Sequence, residues 1–192
     1  DICWQNGFLR ILYVHEMKSE HGKFRYDWRV LMDQDAKKTA LRMIPYGMYI
    51  LTTKSQNGND VGAATVNWLT QTSFAPPLIA VGVKADSGTH QHIKDTGVFA
   101  VNVIGADQKD MAFTFFKPLE RDGNTIGGEE FEESIETKSP LLLSSPAWWD
   151  CKLVGEVAHG DHTLFVGEVV DAGVRREDKT IVMSDHNLFY GG

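Results

Sequence analysis

The sequence of 192 residues has 42% hydrophobic and 23% charged residues, values typical of a globular protein large enough for one well-formed core. It contains 19 basic and 26 acidic residues, and the formal net charge of −7 argues against a broad basic face for nucleic acid. No apolar run reaches the roughly 18 residues that a membrane-spanning helix needs.

The two cysteines, Cys3 and Cys151, are far apart in the sequence and form no Cys-x-x-Cys motif. This is not the pattern of a disulfide-stabilised protein, and it favours a reducing compartment. The first residues are polar and acidic, unlike those of a secretory signal peptide. These features together predict a cytoplasmic location.

Residues 1–32 show no clear helical or strand periodicity, and we interpret them as an N-terminal arm ahead of a domain over residues 33–192. The domain begins with a predicted helix over residues 36–43. Either Asp33 or Asp35 can supply its N-cap, because a carboxylate accepts hydrogen bonds from the first free backbone N–H groups of a helix.

Most of the remaining chain consists of short β-type runs separated by tight turns. Predicted strands span 47–53, 61–69, 78–83, 98–103, 148–158, 163–172 and 180–183. An Asn-Gly turn joins the first two as a hairpin. Residues 89–95 and 106–116 are predicted helices, 117–128 a loop, and the acidic run 129–136 a solvated surface segment. The pattern predicts a mainly β fold, an antiparallel barrel with a few flanking helices.

The loop after the third predicted strand has the chemistry of an anion site. Lys84 ends the strand, and Ser87 and Thr89 open the next helix. Backbone N–H groups at a helix N-terminus, two hydroxyls and an ammonium group can hold a phosphate, and His90 could add a donor. Ser-x-Thr before a short helix is also a common N-cap, and spacing alone leaves both interpretations open.

The second predicted strand, over residues 61–69, carries polar and aromatic groups suited to a flat heterocycle. Thr65 and Asn67 share one face of an alternating strand, whereas Trp68 faces the other way and also fits the core. Two polar side chains on an otherwise apolar strand need partners, which can be a ligand, a neighbouring strand or water. Ser73, in the next turn, is a further candidate.

A Gly-Asp-His turn over residues 160–162 precedes the sixth predicted strand. A histidine in a hairpin turn is usually only a turn residue, so the position of His162 alone does not assign it a role. His159 and His162 form His-x-x-His, but two imidazoles without a third ligand at suitable spacing are weak evidence for a metal, and we predict none.

Two further positions are interpreted from their surroundings. We interpret Phe115 and Phe116 mainly as core residues. Phe116 is also a candidate to line one side of a bound cofactor. Asn102, inside an apolar strand, is expected to satisfy backbone groups rather than to contact a ligand.

Three segments occur in the order typical of one family: ATVNWLTQTSFAPPLIAVGVK, SGTHQHIKDTGVFAVNV and GDHTLFVGEVV. Together they resemble the flavin reductase-like, FMN-binding split-barrel family, close to its flavoredoxin-type branch. The resemblance runs from about Ala40 to Gly192. Its most specific parts are the Thr-x-Asn-Trp strand and the Gly-Asp-His turn.

The resemblance implies a split β-barrel that binds FMN, with FAD less expected. It implies cofactor contacts from Thr65, Asn67, Trp68, Ser73, Lys84, Ser87, Thr89, His90 and Phe116. It places His162 beside the flavin, where the nicotinamide of NAD(P)H would dock. The implied activity is hydride transfer from NAD(P)H to the flavin and electron transfer onward to free flavin or another acceptor. Family members are typically homodimers.

Two alternatives keep the barrel but change its function. The protein could be an FMN-binding electron carrier that a partner protein reduces, or it could hold haem or another cofactor in a related barrel. The sequence lacks the Gly-x-Gly-x-x-Gly fingerprint of a dinucleotide-binding fold. If NAD(P)H is a substrate, it must therefore bind transiently across the flavin.

Overall fold

The computed structural model describes residues 4–5, 8–9 and 32–191. Within the predicted N-terminal arm it shows one pair of short antiparallel strands, β1 (Trp4–Gln5) and β2 (Phe8–Leu9). The rest of that arm lies outside the described residues, apart from its last residue, so the interpretation of residues 1–32 as an arm stays a prediction.

The chain divides into two compact units. The first comprises Asp1–Ile44 and Tyr190–Gly192, and it contains helix α1 (Gln34–Arg42). Asp33 Oδ1 accepts hydrogen bonds of 3.0 Å from the backbone N–H groups of Asp35 and Ala36. The predicted helix and its aspartate cap are therefore confirmed.

The second unit, Pro45–Phe189, contains the other strands and helices. Its strands are β3 (Tyr49–Lys54), β4 (Val61–Val66), β5 (Leu69–Phe74), β6 (Pro77–Lys84), β7 (Val98–Val103), β8 (Arg121–Asp122), β9 (Thr125–Ile126), β10 (Glu129–Glu133), β11 (Pro140–Leu142), β12 (Ala147–Ala158) and β13 (His162–Val174). Seven of them form an antiparallel sheet in the order β4-β3-β7-β12-β13-β6-β5. This mainly β, split-barrel architecture is the predicted one.

Two helices flank the sheet in this unit, α2 (Gly88–Thr96) and α3 (Lys109–Thr114). Helix α2 begins at the N-cap Ser87 and ends at Gly97, which adopts a left-handed conformation with φ 67° that favours glycine. Helix α3 is shorter than the predicted span. In the part of the chain that the structure describes, no helix is both long and apolar enough to cross a membrane.

The region between α3 and β12 differs from its prediction. The expected loop 117–128 contains β8 and β9, and the acidic run contains β10. These strands form a second antiparallel sheet in the order β11-β10-β9-β8. Phe131, only 4% exposed, faces the core between exposed glutamates, so the acidic segment is an amphipathic strand with its predicted solvated surface on the other face.

The predicted last strand over residues 180–183 is wrong. Thr180 and Val182 each form only an isolated bridge, to Gly105 and Gly47. A 3₁₀ helix over Met183–His186 follows directly and turns the chain away from the sheet before a ladder can form.

A buried amide joins the two sheets. Asn102 Nδ2 donates to the carbonyl oxygen of Ile50 at 3.2 Å and to Thr52 Oγ1 at 3.0 Å. Its Oδ1 accepts a 2.8 Å bond from the backbone N–H of Leu142 on β11. The expectation that Asn102 satisfies backbone groups is confirmed, and its side chain holds β11 against β3 and β7.

A second polar contact ties the loop between β10 and β11 to the large sheet. The buried Asp150 carboxylate on β12 accepts a 2.5 Å bond from Thr137 Oγ1 and a 3.2 Å bond from the Thr137 backbone N–H. Burial raises the pKa of Asp150, and hydrogen bonds from Thr137 and Ser134 oppose that rise. The loop is thus anchored through an interior carboxyl group.

Candidate functional site

The predicted phosphate loop is formed by the end of β6 and the start of α2. Ser87 Oγ accepts a 3.1 Å bond from the backbone N–H of His90 and donates a 2.8 Å bond to the carbonyl oxygen of Lys84. The Ser87 carbonyl accepts from the N–H of Gln91. Since the first N–H groups of a helix have no partner within it, those of Gly88 and Thr89 are the donors that an anion could use.

Charge at this loop comes from an exposed ion pair. Lys84 Nζ lies 3.1 Å from Asp86 Oδ2, and both side chains are largely in solvent. An exposed pair of this kind contributes little stability. Lys84 can therefore exchange Asp86 for a more highly charged phosphate at small cost.

His90 is positioned differently from the prediction. Its imidazole is buried, with Nε2 2.8 Å from Thr163 Oγ1 on β13 and its ring 5.1 Å from that of Phe165. The side chain therefore anchors α2 to the sheet, and donation from this ring to an anion on the loop is not supported. Thr89 is buried as well, so its contribution to the loop surface is its backbone N–H.

We expect His90 to make stability depend on pH. Burial, and then the charge of Lys94, lower its pKa, while Glu156 raises it. Because the folded state lowers this pKa, the unfolded chain takes up a proton at His90 at a higher pH than the folded chain does. The contribution of His90 to the free energy of unfolding is therefore complete above about pH 6.5 and is lost as the pH falls below that value. Urea unfolding on both sides of that pH should show the loss, and His90→Gln, which can still bond to Thr163, should show less of it.

Glycine 62 allows α2 to approach β4 closely. A Cβ atom at Gly62 would lie 3.0 Å from Thr89 Cα, a backbone atom that cannot rotate away. We expect Gly62→Ala to displace the first turn of α2, to cost about 1–3 kcal/mol of stability and to weaken binding at the loop. Gly155→Ala is the matched control, because nothing lies within 4 Å of its added Cβ. Equal melting temperatures for the two variants would contradict the close packing.

The predicted ring-binding strand is interrupted. Strand β4 ends at Val66, and Asn67 and Trp68 form the crossing to β5. Thr65 Oγ1 donates a 2.6 Å bond to the carbonyl oxygen of Ala112, so its hydroxyl already has a protein partner. The hydroxyl oxygen retains acceptor capacity, but its proton is committed.

Asn67 is more available for a ligand. Its side chain is almost fully buried, and Nδ2 lies 3.1 Å from Met183 Sδ. A thioether sulfur is a weak acceptor, so this contact does not fully replace a hydrogen bond to oxygen. A buried amide that contacts sulfur is suited to the polar edge of a ring.

Trp68 and His162 come together across the sheet. The ring of Trp68 lies over Gly82, where a Cβ would approach it to 3.2 Å, and the Trp68 and His162 ring centroids are 4.6 Å apart. The absence of a side chain at Gly82 makes room for the indole. Trp68 therefore packs against His162, the residue that we expect to contact the substrate.

The histidine turn is bonded directly to the phosphate loop. His162 pairs with Lys84 in the β13–β6 ladder, and the Asp161 carbonyl accepts a 2.9 Å bond from the Ala85 N–H. His162 Nδ1 lies 2.9 Å from Asp161 Oδ1; the imidazole is 13% exposed and the carboxylate 91%. The hydrogen bond and the charge of His162 lower the pKa of Asp161.

The structure places Ser73 away from the phosphate loop and leaves Phe116 largely exposed. Ser73 pairs with Leu78, six positions along β6 from Lys84, so the sheet does not place it at the phosphate loop. Phe116 is 57% exposed and packs edge-on against Phe113 at 5.4 Å, whereas Phe115 is fully buried. Of the two aromatics interpreted mainly as core, only Phe115 is core.

Gly82 and Asp161 were not identified as site residues from the sequence. Gly82 acts by lacking a side chain opposite Trp68, a relation that depends on the cross-strand register. Asp161 lies next to His162 in the chain, so the Gly-Asp-His motif carried a signal for it. No group of three metal-ligating side chains forms among the described residues.

Comparisons with known proteins agree with this architecture. The family model of the flavin reductase like domain matches residues 41–192. A ferric-chelate reductase (NAD(P)H) of Archaeoglobus fulgidus is 33% identical over 157 residues, which cover 80% of this chain and 90% of that protein. A probable flavin reductase of Rhizobium meliloti is 27% identical over 139 residues, and the match spans 72% of this chain but 43% of that longer protein.

A solved structure shares the fold. The NADH:FAD oxidoreductase of Streptomyces globisporus C-1027, in complex with NAD and FAD fragments, superposes with a TM-score of 0.65 and 25% identity. The superposition covers 80% of this chain and 87% of that one. Because the family model matches most of the chain, this protein belongs to the flavin reductase-like domain family, and the resemblance drawn from its motifs is confirmed.

Proposed function

We propose that this protein is an NAD(P)H-dependent flavin reductase that holds FMN between the loop at Lys84–Ser87 and the crossing at Asn67–Trp68. The observation that carries the proposal is the direct bond between the phosphate loop and the histidine turn, from the Ala85 N–H to the Asp161 carbonyl. This bond and the pairing of Lys84 with His162 bring the loop and the turn together, which supports the proposal that they form one site. Names of relatives such as the Archaeoglobus ferric-chelate reductase support the activity.

The chain's own groups fit a flavin. The N–H groups of Gly88 and Thr89 and the Lys84 ammonium would hold the phosphate, and the Ser87 hydroxyl would join them by exchanging its bond to the Lys84 carbonyl for one to the phosphate. The Asn67 amide would meet the polar edge of the ring system. Bound flavin would supply the redox chemistry, taking hydride from the nicotinamide and passing electrons to an acceptor.

His162 would act on the nicotinamide side. Asp161 Oδ1 lies 2.9 Å from its Nδ1 and fixes the orientation of the imidazole ring. Trp68 covers one side of the imidazole and limits its movement. The role of His162 is to orient the pyridine nucleotide, and no side-chain nucleophile is required.

The finer assignments are part of the same proposal. FMN is preferred to FAD because the family resemblance points to FMN, although one structural relative is named for FAD. The acceptor is free flavin or a ferric chelate, as the names of two relatives suggest. We expect a homodimer from the family resemblance.

One experiment tests the activity. The purified protein is denatured, and the mass and absorbance of the released small molecule are recorded; we expect FMN. The intact protein is then mixed anaerobically with NADH or NADPH. Rapid bleaching of the flavin absorbance without a partner supports the reductase. Bleaching only after a partner protein is added would show an electron carrier instead.

A further inference from the structure

A second concave region lies between the β3–β4 turn and the small sheet. It is a cavity of about 310 Å³, and its lining includes Lys54, Arg121, Lys138, Glu133, Phe131 and Pro140. None of these residues belongs to the proposed flavin site.

Strand β4 separates the cavity from the phosphate loop. Val61 lines the cavity, whereas the next residue, Gly62, faces the first turn of α2. Since successive residues of a strand point to opposite faces, the cavity and α2 lie on opposite sides of β4.

The cavity concentrates positive charge in an acidic protein. Three cationic side chains face one carboxylate, that of Glu133, although the whole chain carries a formal charge of −7. Among the described residues, Lys54 and Lys138 form no ion pair, whereas Lys94 and Lys152 each lie within 4 Å of a glutamate. Unpaired like charges around one cavity repel each other and are stabilised by a bound anion.

Arg121 is held in one orientation at this cavity. Its Nε donates to the carbonyl oxygen of Gly123 at 2.7 Å and its Nη1 to that of Gly58 at 3.4 Å. The guanidinium carbon lies 5.2 Å from the ring centroid of Phe131. A guanidinium fixed in this way loses little entropy when its remaining N–H groups bind an oxyanion.

The β3–β4 turn supplies an amide donor. Asn57 Oδ1 accepts bonds from Ser55 Oγ at 2.8 Å and from the Asn59 N–H at 3.0 Å. The amide oxygen is therefore used within the turn, and the Asn57 NH₂ group, which lines the cavity, has two protons to donate.

We propose that this cavity binds a small oxyanion, with phosphate or carboxylate groups on Lys54, Arg121 and Lys138 and any apolar part against Phe131 and Pro140. The proposal goes beyond the flavin reductase function and does not depend on it.

Isothermal titration calorimetry on the FMN-saturated protein tests the proposal. Inorganic pyrophosphate and citrate are the probes, at an ionic strength kept constant with chloride, and saturation with FMN occupies the phosphate loop. We expect binding at one site, weakened about tenfold by Lys54→Gln with Lys138→Gln. The control, Lys94→Gln with Lys179→Gln, removes the same charge elsewhere and should change affinity by less than about twofold.

The two probes separate the two sources of the oxyanion, since tighter binding of pyrophosphate indicates a phosphate ligand and tighter binding of citrate a carboxylate. Arg121→Lys keeps the charge and removes the planar guanidinium, so it should also weaken binding. It serves as the second test if the double variant Lys54→Gln with Lys138→Gln does not fold. Absence of binding to the wild type, or equal weakening by the cavity and control pairs, would overturn the proposal. Flavin absorbance should stay unchanged throughout, which distinguishes failure here from failure of the flavin site.

Discussion

Replacing His162 with alanine is expected to lower kcat/KM for the pyridine nucleotide by about one to two orders of magnitude, because the nicotinamide loses the group that orients it. Bound flavin should be retained, since the phosphate loop does not use the His162 side chain. Anaerobic stopped-flow absorbance of the FMN-loaded variant measures the rate, and the ratio of flavin to protein measures retention.

The chain offers a matched control for this variant. His159 is an exposed imidazole three residues earlier at the same turn, so His159→Ala removes the same group without touching Trp68 or Asp161. It should keep the wild-type rate. Release of FMN by His162→Ala, or equal slowing by both variants, would show that His162 supports the fold of the site rather than the substrate.

Replacing Asn102 with alanine is expected to destabilise the fold by about 3 kcal/mol. The change leaves the Leu142 N–H without its buried partner, which costs about 1–3 kcal/mol, and it also removes the side-chain bonds to the Ile50 carbonyl and to Thr52. It removes one of the hydrogen bonds that connect β11 with the large sheet, while the Thr52–Pro140 bond remains. Urea unfolding followed by fluorescence gives the free energy.

Asn59→Ala is the control variant, because it removes the same amide group from an exposed turn. We expect it to change the free energy of unfolding by no more than about 0.5 kcal/mol. If Asn102→Ala were equally mild, the other contacts between the sheets, such as the Thr52–Pro140 and Thr137–Asp150 hydrogen bonds, would be enough to hold them together. In that case the assignment of Asn102 as the link between them would fail.

Local signals explain the parts of the fold that the sequence predicts well. Ser87 and Gly97 are strong start and stop residues, and helix α2 lies between them as expected. The acidic run is solvent-exposed as predicted, but its strand is not predicted, because Phe131 is its only large buried side chain and one aromatic among glutamates gives no clear alternation. The segment 180–183 has strand-like residues, but a strand also needs a neighbour with a free edge, which its own composition does not reveal.

The candidate site also combines features that local sequence predicts with features that depend on distant parts of the chain. The N-cap at Ser87 and the turn at His162 are local features, and their chemistry was visible in the motifs. The inward orientation of His90 depends on Thr163, which is 73 residues away in the chain. The stacking of Trp68 over Gly82 depends on cross-strand register, and tertiary relations of this kind cannot be derived from residue spacing.

The affinity ratio of FMN to riboflavin tests the central claim most directly, because the two ligands differ only in the phosphate. Fluorescence titration of the apoprotein should show FMN binding about 100-fold tighter, and Lys84→Gln with Ser87→Ala should remove most of that difference while leaving riboflavin affinity unchanged. A wild-type ratio near one, or a ratio that survives the double variant, would contradict the placement of the flavin phosphate at the start of α2.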